Sequence, residues 1–88
     1  MDFFHTREFL SARDVAVLQC DTQCNFRLTD DSNFAAFERG DAHTYYGGFF
    51  THFPARIVVP STGYWNVTID LGGGSANIRY SLSYIKRR

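Results

Sequence analysis

The segment Trp65-Asn66-Val67-Thr68-Ile69-Asp70-Leu71 alternates strictly between apolar and polar residues. A helix cannot use that period. In a strand successive side chains point to opposite faces, so Trp65, Val67, Ile69 and Leu71 share one face and Asn66, Thr68 and Asp70 the other. The run from Ala76 to Tyr84 repeats the pattern, with Ala76, Ile78, Tyr80, Leu82 and Tyr84 inward and Asn77, Arg79, Ser81 and Ser83 outward. Cys24, Phe26 and Leu28 alternate with Asn25, Arg27 and Thr29 in the same way, whereas Val15-Ala16-Val17-Leu18 is apolar on both faces and reads as a more central strand. Ile57-Val58-Val59 is a short strand stopped by Pro60, after which Ser61-Thr62-Gly63 turns the chain toward Trp65. Phe3 to Phe9 and His43 to Tyr46 are candidates for two more, giving roughly six to eight strands.

One segment breaks the period. Asp31-Ser32-Asn33 supplies capping residues, Phe34 and Phe37 lie one turn apart and Gly40 is a stop, so one short helical turn is expected there, its two rings plugging one end of the β core. The link Asp21-Thr22-Gln23 is short enough for a hairpin. Short strands joined by Gly and Pro turns point to an all-β, mainly antiparallel fold, a compact β-sandwich or small barrel, rather than to βαβ units. The 88 residues fit a single domain, 1–88, with a short basic tail at 86–88. Such a domain buries only about 60 to 65% of the surface of its unfolded chain, which leaves no room for a deep enclosed active site.

Nine basic and nine acidic residues cancel, so no broad field exists to hold a polyanion, and nucleic acid is not an expected partner. No stretch approaches the ~20 apolar residues of a membrane span. Met1 to Glu8 carry an acid early and no uninterrupted apolar run, unlike a secretory signal. The expectation is a cytoplasmic protein without a membrane partner, in which the sequon Asn66-Val67-Thr68 has no glycosylation role.

The triplet Gly72-Gly73-Gly74-Ser75 invites comparison with phosphate-binding loops, but no Lys-Ser/Thr pair follows it, as a Walker loop requires. Asn77 stands where a dinucleotide fingerprint and a nucleophile elbow each need glycine, so the triplet reads as a corner between strands. Cys20 and Cys24 bracket the expected hairpin and read as small apolar thiols, with a disulfide or half a metal site as alternatives; zinc would need His43 and His52 as well, at spacings that match no metal signature. No carboxylate or serine stands at a diagnostic spacing from His5, His43 or His52, so no catalytic residue, metal or cofactor is expected, and the chain does not read as an enzyme.

The most unusual stretch is Tyr45-Tyr46-Gly47-Gly48-Phe49-Phe50-Thr51-His52-Phe53-Pro54. Adjacent rings of an extended chain face opposite ways, so at least one of Tyr45 and Tyr46, and one of Phe49 and Phe50, should reach the surface or cover an edge. Such a ring stacks on a sugar or base, anchors a protein partner, or closes the open end of a small sandwich as a lid. The outward row Asn66, Thr68, Asp70, Asn77, Arg79 and Ser81, expected on two neighbouring strands, is either a solvated sheet face or a polar contact surface.

Taken together, Asn25-Phe26-Arg27-Leu28, Asp31-Ser32-Asn33-Phe34, Gly40, Tyr46-Gly47-Gly48, Pro54, Val59-Pro60, Gly63-Tyr64-Trp65 and Asp70-Leu71-Gly72-Gly73 resemble the bacterial family called domain of unknown function 1883. The resemblance runs from about His5 to Leu82 and implies a small, mostly β domain that occurs alone and fused to TIR domains of signalling and defence proteins. It brings no catalytic residue or ligand. Ser11-Ala12-Arg13-Asp14 departs from the Gly-Asp turn expected before the second strand, and the pair Cys20 and Cys24 is not part of the pattern.

These observations favour a non-enzymatic binding module for a small molecule, glycan or protein partner. Its contact residues would be Tyr45, Tyr46, Phe49, Phe50, His52 and Phe53 with the polar positions Asn66, Asp70 and Arg79. The alternative is a homodimer or larger assembly packed through strand edges or through Phe49, Phe50 and Phe53.

Overall fold

In the computed structural model, which describes residues 3–71 and 78–86, the chain runs β1 (Phe4–Leu10), β2 (Val15–Cys20), β3 (Cys24–Thr29), α1 (Asp31–Arg39), β4 (Tyr46–Phe50), β5 (Ala55–Val58), β6 (Gly63–Asp70) and β7 (Tyr80–Ile85). All pairings are antiparallel. One sheet has the order β1-β6-β3-β4 and the other the order β5-β2-β7. Phe26, Leu28, Trp65, Val67 and Ile69 of the first pack against Ala16, Leu18, Ala55 and Ile57 of the second, so the fold is a β-sandwich. The doubly apolar run Val15 to Leu18 is the central strand of its sheet, as its composition requires.

Two expected neighbours are not neighbours. β2 and β3 belong to different sheets, so Asp21-Thr22-Gln23 carries the chain across the sandwich instead of closing a hairpin. β6 and β7 are likewise divided between the sheets, which separates Asn66, Thr68 and Asp70 from Arg79 and Ser81. Alternation says which face of a strand is buried; it does not say which strand lies beside it. The expected strand at His43 to Tyr46 begins only at Tyr46. The glycine corner and Asn77 fall within 72–77, outside the described residues, as do Met1, Asp2, Arg87 and Arg88.

Helix α1 begins at the N-cap Asp30, whose carboxylate accepts from the Asn33 amide at 2.8 Å, and ends at Gly40 in the left-handed region (φ 78°). The Gly40 and Asp41 amides return to the carbonyls of Phe37 and Ala36 at 3.1 and 2.9 Å, the Schellman arrangement that only a residue tolerant of positive φ closes without strain. The helix does not plug the core. It lies on the outer face of the four-stranded sheet, where Asp31 bonds Asn66, Phe34 stacks on His5 at 4.1 Å, and both phenylalanine rings meet Phe3 edge-on.

That third layer overturns the expectation of a solvated polar face: Asn66, Thr68 and Asp70 are only 1%, 3% and 3% exposed. Every position of β6 from Trp65 to Asp70 is buried although half are polar. A buried polar group needs a partner, and the flanking strands supply several: the register places Asn66 opposite Arg7 and Thr29, and Thr68 opposite His5 and Arg27.

The turn joining β1 to β2 carries a local strain. Its third residue, Arg13, has φ 74°, a conformation that costs a side-chain-bearing residue about 1 to 2 kcal/mol and glycine little. The family resemblance places a glycine before Asp14, where this chain has Arg13. Because Arg13 is exposed, Arg13→Gly should raise stability by about 0.5 to 1 kcal/mol after allowing for the greater freedom of glycine in the unfolded chain. Thermal denaturation should show a midpoint roughly 2 to 8 °C higher; an unchanged or lower midpoint would contradict the account.

Candidate functional site

The outer face of the four-stranded sheet is a grid whose rows are set by the strand registers. Phe9 pairs with Tyr64; Arg7, Asn66 and Thr29 form the next row; His5, Thr68, Arg27 and Gly47 the third; and Asp70, Asn25 and Phe49 the last. The helix covers the β1 and β6 half. There Arg7 makes a two-pronged bond to Asp31, Nε to Oδ1 at 3.0 Å and Nη2 to Oδ2 at 2.7 Å. Asn66 Nδ2 donates to the same carboxylate at 2.8 Å and to the Thr29 carbonyl at 3.3 Å, and its Oδ1 lies 2.8 Å from His5 Nε2.

Hydrogen bonds from Arg7 and then Asn66 hold the Asp31 carboxyl down to about 2, below its ordinary 3.8. A carboxylate depressed by folding contributes stability that is fully present above its unfolded pKa and is lost as pH falls through the folded one. The thermal midpoint should therefore decline between about pH 4 and pH 2, and Asp31→Asn should flatten that decline. Parallel acid limbs for the two proteins would show that Asp31 carries no such linkage.

The β3 and β4 half is open. Asn25 Nδ2 donates to Asp70 Oδ1 at 3.0 Å, and Arg27 Nη1 stands 3.5 Å from Asp70 Oδ2. The Arg27 guanidinium also lies over the Tyr45 ring, 4.9 Å from its centre, a cation–π geometry. Tyr45, Tyr46 and Phe49 are 42%, 44% and 56% exposed. As alternation requires, one ring of the second pair turns in: Phe50 packs on Phe26 and the core while Phe49 faces out. Tyr46 points to the sandwich side but meets Trp65 only edge-on at the open rim.

The residues singled out in the sequence therefore separate into groups. Tyr45, Phe49 and Asp70 come together through Arg27 and Asn25. Asn66 is structural, beneath the helix. Phe50 and Phe53 pack on the core, His52 is exposed and bonded to Thr51, and Arg79 lies by the other sheet, its backbone bonded to Asp21. Asn25 and Arg27 complete the group and were not singled out. Their alternation on β3 was visible, but nothing local says that β4 is the neighbouring strand.

A second exposed cluster stands at the far end of the same face, where Phe9 meets Tyr64 edge-on and Arg7 lies 3.9 Å over the Tyr64 ring. His43 packs on Phe37 and Tyr45. No group of three or more His, Cys, Asp or Glu side chains is arranged to hold a metal ion among the described residues. Both cysteines are free thiols; burial, together with its neighbour Cys20, pushes the Cys24 thiol well up, which keeps it unreactive at neutral pH. No helix of the described residues is long and apolar enough to cross a membrane.

The family model described as domain of unknown function (DUF1883) matches residues 1–88, the whole chain. No curated protein and no solved structure matches it.

Proposed function

The chain belongs to the DUF1883 family, and we propose that it is a non-enzymatic binding module whose contact surface is the β3 and β4 half of the outer sheet face. The observation that supports this most is the concentration of exposed rings on and just before one edge strand, Tyr45, Tyr46 and Phe49, beside hydrogen-bonding side chains of Arg27 and Asn25. A small domain gains more from burying such rings in its core. Rings left in water next to fixed polar groups suit a surface that is covered when a partner arrives. On this reading the domain works in bacteria, alone or joined to TIR domains, as the resemblance of its motifs implies, and in the cytoplasm, as the absence of a secretory-signal pattern suggests.

A thermal-shift screen against sugars, nucleotides, metabolites and divalent metals tests the reading. A ligand at a hundred times its dissociation constant adds ~2.7 kcal/mol and moves the midpoint of a domain this size by roughly 10 to 20 °C. The shift should vanish in the Tyr45→Ala/Phe49→Ala double variant, which removes two exposed rings and should leave the unliganded fold intact. Sedimentation equilibrium on both proteins covers the assembly alternative: a dimer lost in the double variant would make this surface a self-association interface. A hit that survives the double variant would place binding elsewhere.

A further inference from the structure

We propose that the ligand of this surface is a neutral carbohydrate chain, held across Tyr45 and Phe49 with its hydroxyl groups on Asn25 and Arg27; this rests on the binding-module reading above. Tyr45 lies over Arg27, just before β4, and Phe49 pairs with Asn25 in the neighbouring row, so the two exposed rings stand on the same outer face. Gly47, exposed and paired in register with Arg27, lies between them. The result is a strip with a flat apolar ring at each end and polar groups in its floor. A short oligosaccharide has the matching chemistry: sugar rings with apolar C–H faces, edged by hydroxyl groups that both donate and accept.

The charges and the backbone select this class over its competitors. Arg27 already faces the buried Asp70 carboxylate at 3.5 Å, so the floor carries no net positive charge to draw in a phosphate or carboxylate. A neutral polyol needs none, and it uses the N–H donors of Arg27 together with the donor and acceptor ends of the Asn25 amide. An added peptide strand would need a straight open edge of amides and carbonyls. Gly47 and Gly48, at φ 99° and 148°, take that edge out of the regular strand conformation. The ligand therefore lies on the face of the sheet and not along its edge.

The test is a ¹H–¹⁵N NMR titration of the whole chain with cello-, xylo-, malto- and chito-oligosaccharides, with inorganic phosphate and ATP as anionic comparators. At least one neutral series should give saturable shifts centred on Asn25, Arg27 and Tyr45 to Phe49, and Phe49→Ala should weaken that binding about tenfold or more. Phe9→Ala, which removes an equally exposed ring at the far end of the face, should leave the affinity unchanged. The carbohydrate assignment is overturned if no neutral series shifts these residues, if the shifts persist at full affinity in Phe49→Ala with its spectrum otherwise intact, or if an anionic probe binds the strip more tightly. A thermal-shift hit of another class that needs Tyr45 and Phe49 would overturn the carbohydrate class and leave the module standing; absence of any hit dependent on these rings would remove both.

Discussion

Gly47→Ala should destabilise the fold by about 2 to 6 kcal/mol. A methyl group at that position would sit well inside contact distance of the Phe26 carbonyl oxygen and 2.7 Å from Ile57 Cδ1. The first obstacle is the backbone of the neighbouring strand, which cannot move without breaking the β3–β4 pairing, and the second is the tip of a core side chain from the opposite sheet. The φ of 99° adds strain that alanine, unlike glycine, bears in full. Overpacking of about 1 to 3 kcal/mol and a backbone penalty of about 1 to 3 kcal/mol together reach about 2 to 6 kcal/mol. A domain of this length holds only roughly 4 to 13 kcal/mol in total. Gly48→Ala is the matched comparison: it also has a positive φ, 148°, but an added methyl there meets nothing within 4 Å. Urea denaturation should place Gly48→Ala within about 1 to 2 kcal/mol of the parent and Gly47→Ala far below it. Equal losses at the two positions would mean that contact with Phe26 and Ile57 is not what reserves position 47 for glycine.

Asn66→Ala should cost about 2 to 4 kcal/mol, lowering the midpoint by roughly 10 to 25 °C. The Asn66 side chain joins three elements: it donates to the Thr29 carbonyl of β3 and to Asp31 of α1, and it meets His5 of β1. Truncation leaves the buried Thr29 carbonyl without that partner, while His5, which is exposed, turns to water, and an abandoned buried polar group costs more than the bond itself contributed. The exposed pair Arg39 and Asp41, 2.9 Å apart, provides the contrast, since Arg39→Ala should change stability by less than about 1 kcal/mol. Calorimetry of the two variants checks both numbers. An Asn66→Ala protein as stable as its parent would show that the Asn66 bonds contribute nothing to holding the helix.

Much of the fold was legible because period and punctuation are local. The alternation of β6 located a strand, the residues Asp31 to Gly40 marked a helix within one residue of its observed start, and the aromatic run announced rings that could not all be buried. The candidate site was legible only in part. Tyr45, Phe49 and Asp70 were named from sequence, yet the two residues that bind them into one surface, Asn25 and Arg27, come from a strand some 20 residues earlier. Arg79 was grouped with Asp70 on the assumption that strands adjacent in the chain pair with each other, and the sandwich separates them.

The sequence by itself determined most of the secondary elements, the buried face of the central strands and a net charge of zero, because each depends on residue type and short-range spacing. Only the tertiary structure decided that Asp21 to Gln23 crosses between sheets, that the polar face of β6 is buried, Asn66 beneath α1 and Asp70 beside Asn25 and Arg27, and that Tyr45 and Phe49 share an open strip with Arg27 and Asn25. Those outcomes depend on which strand pairs with which. That choice is made by the summed packing of both sheets and the helix, and no short stretch of residues contains it.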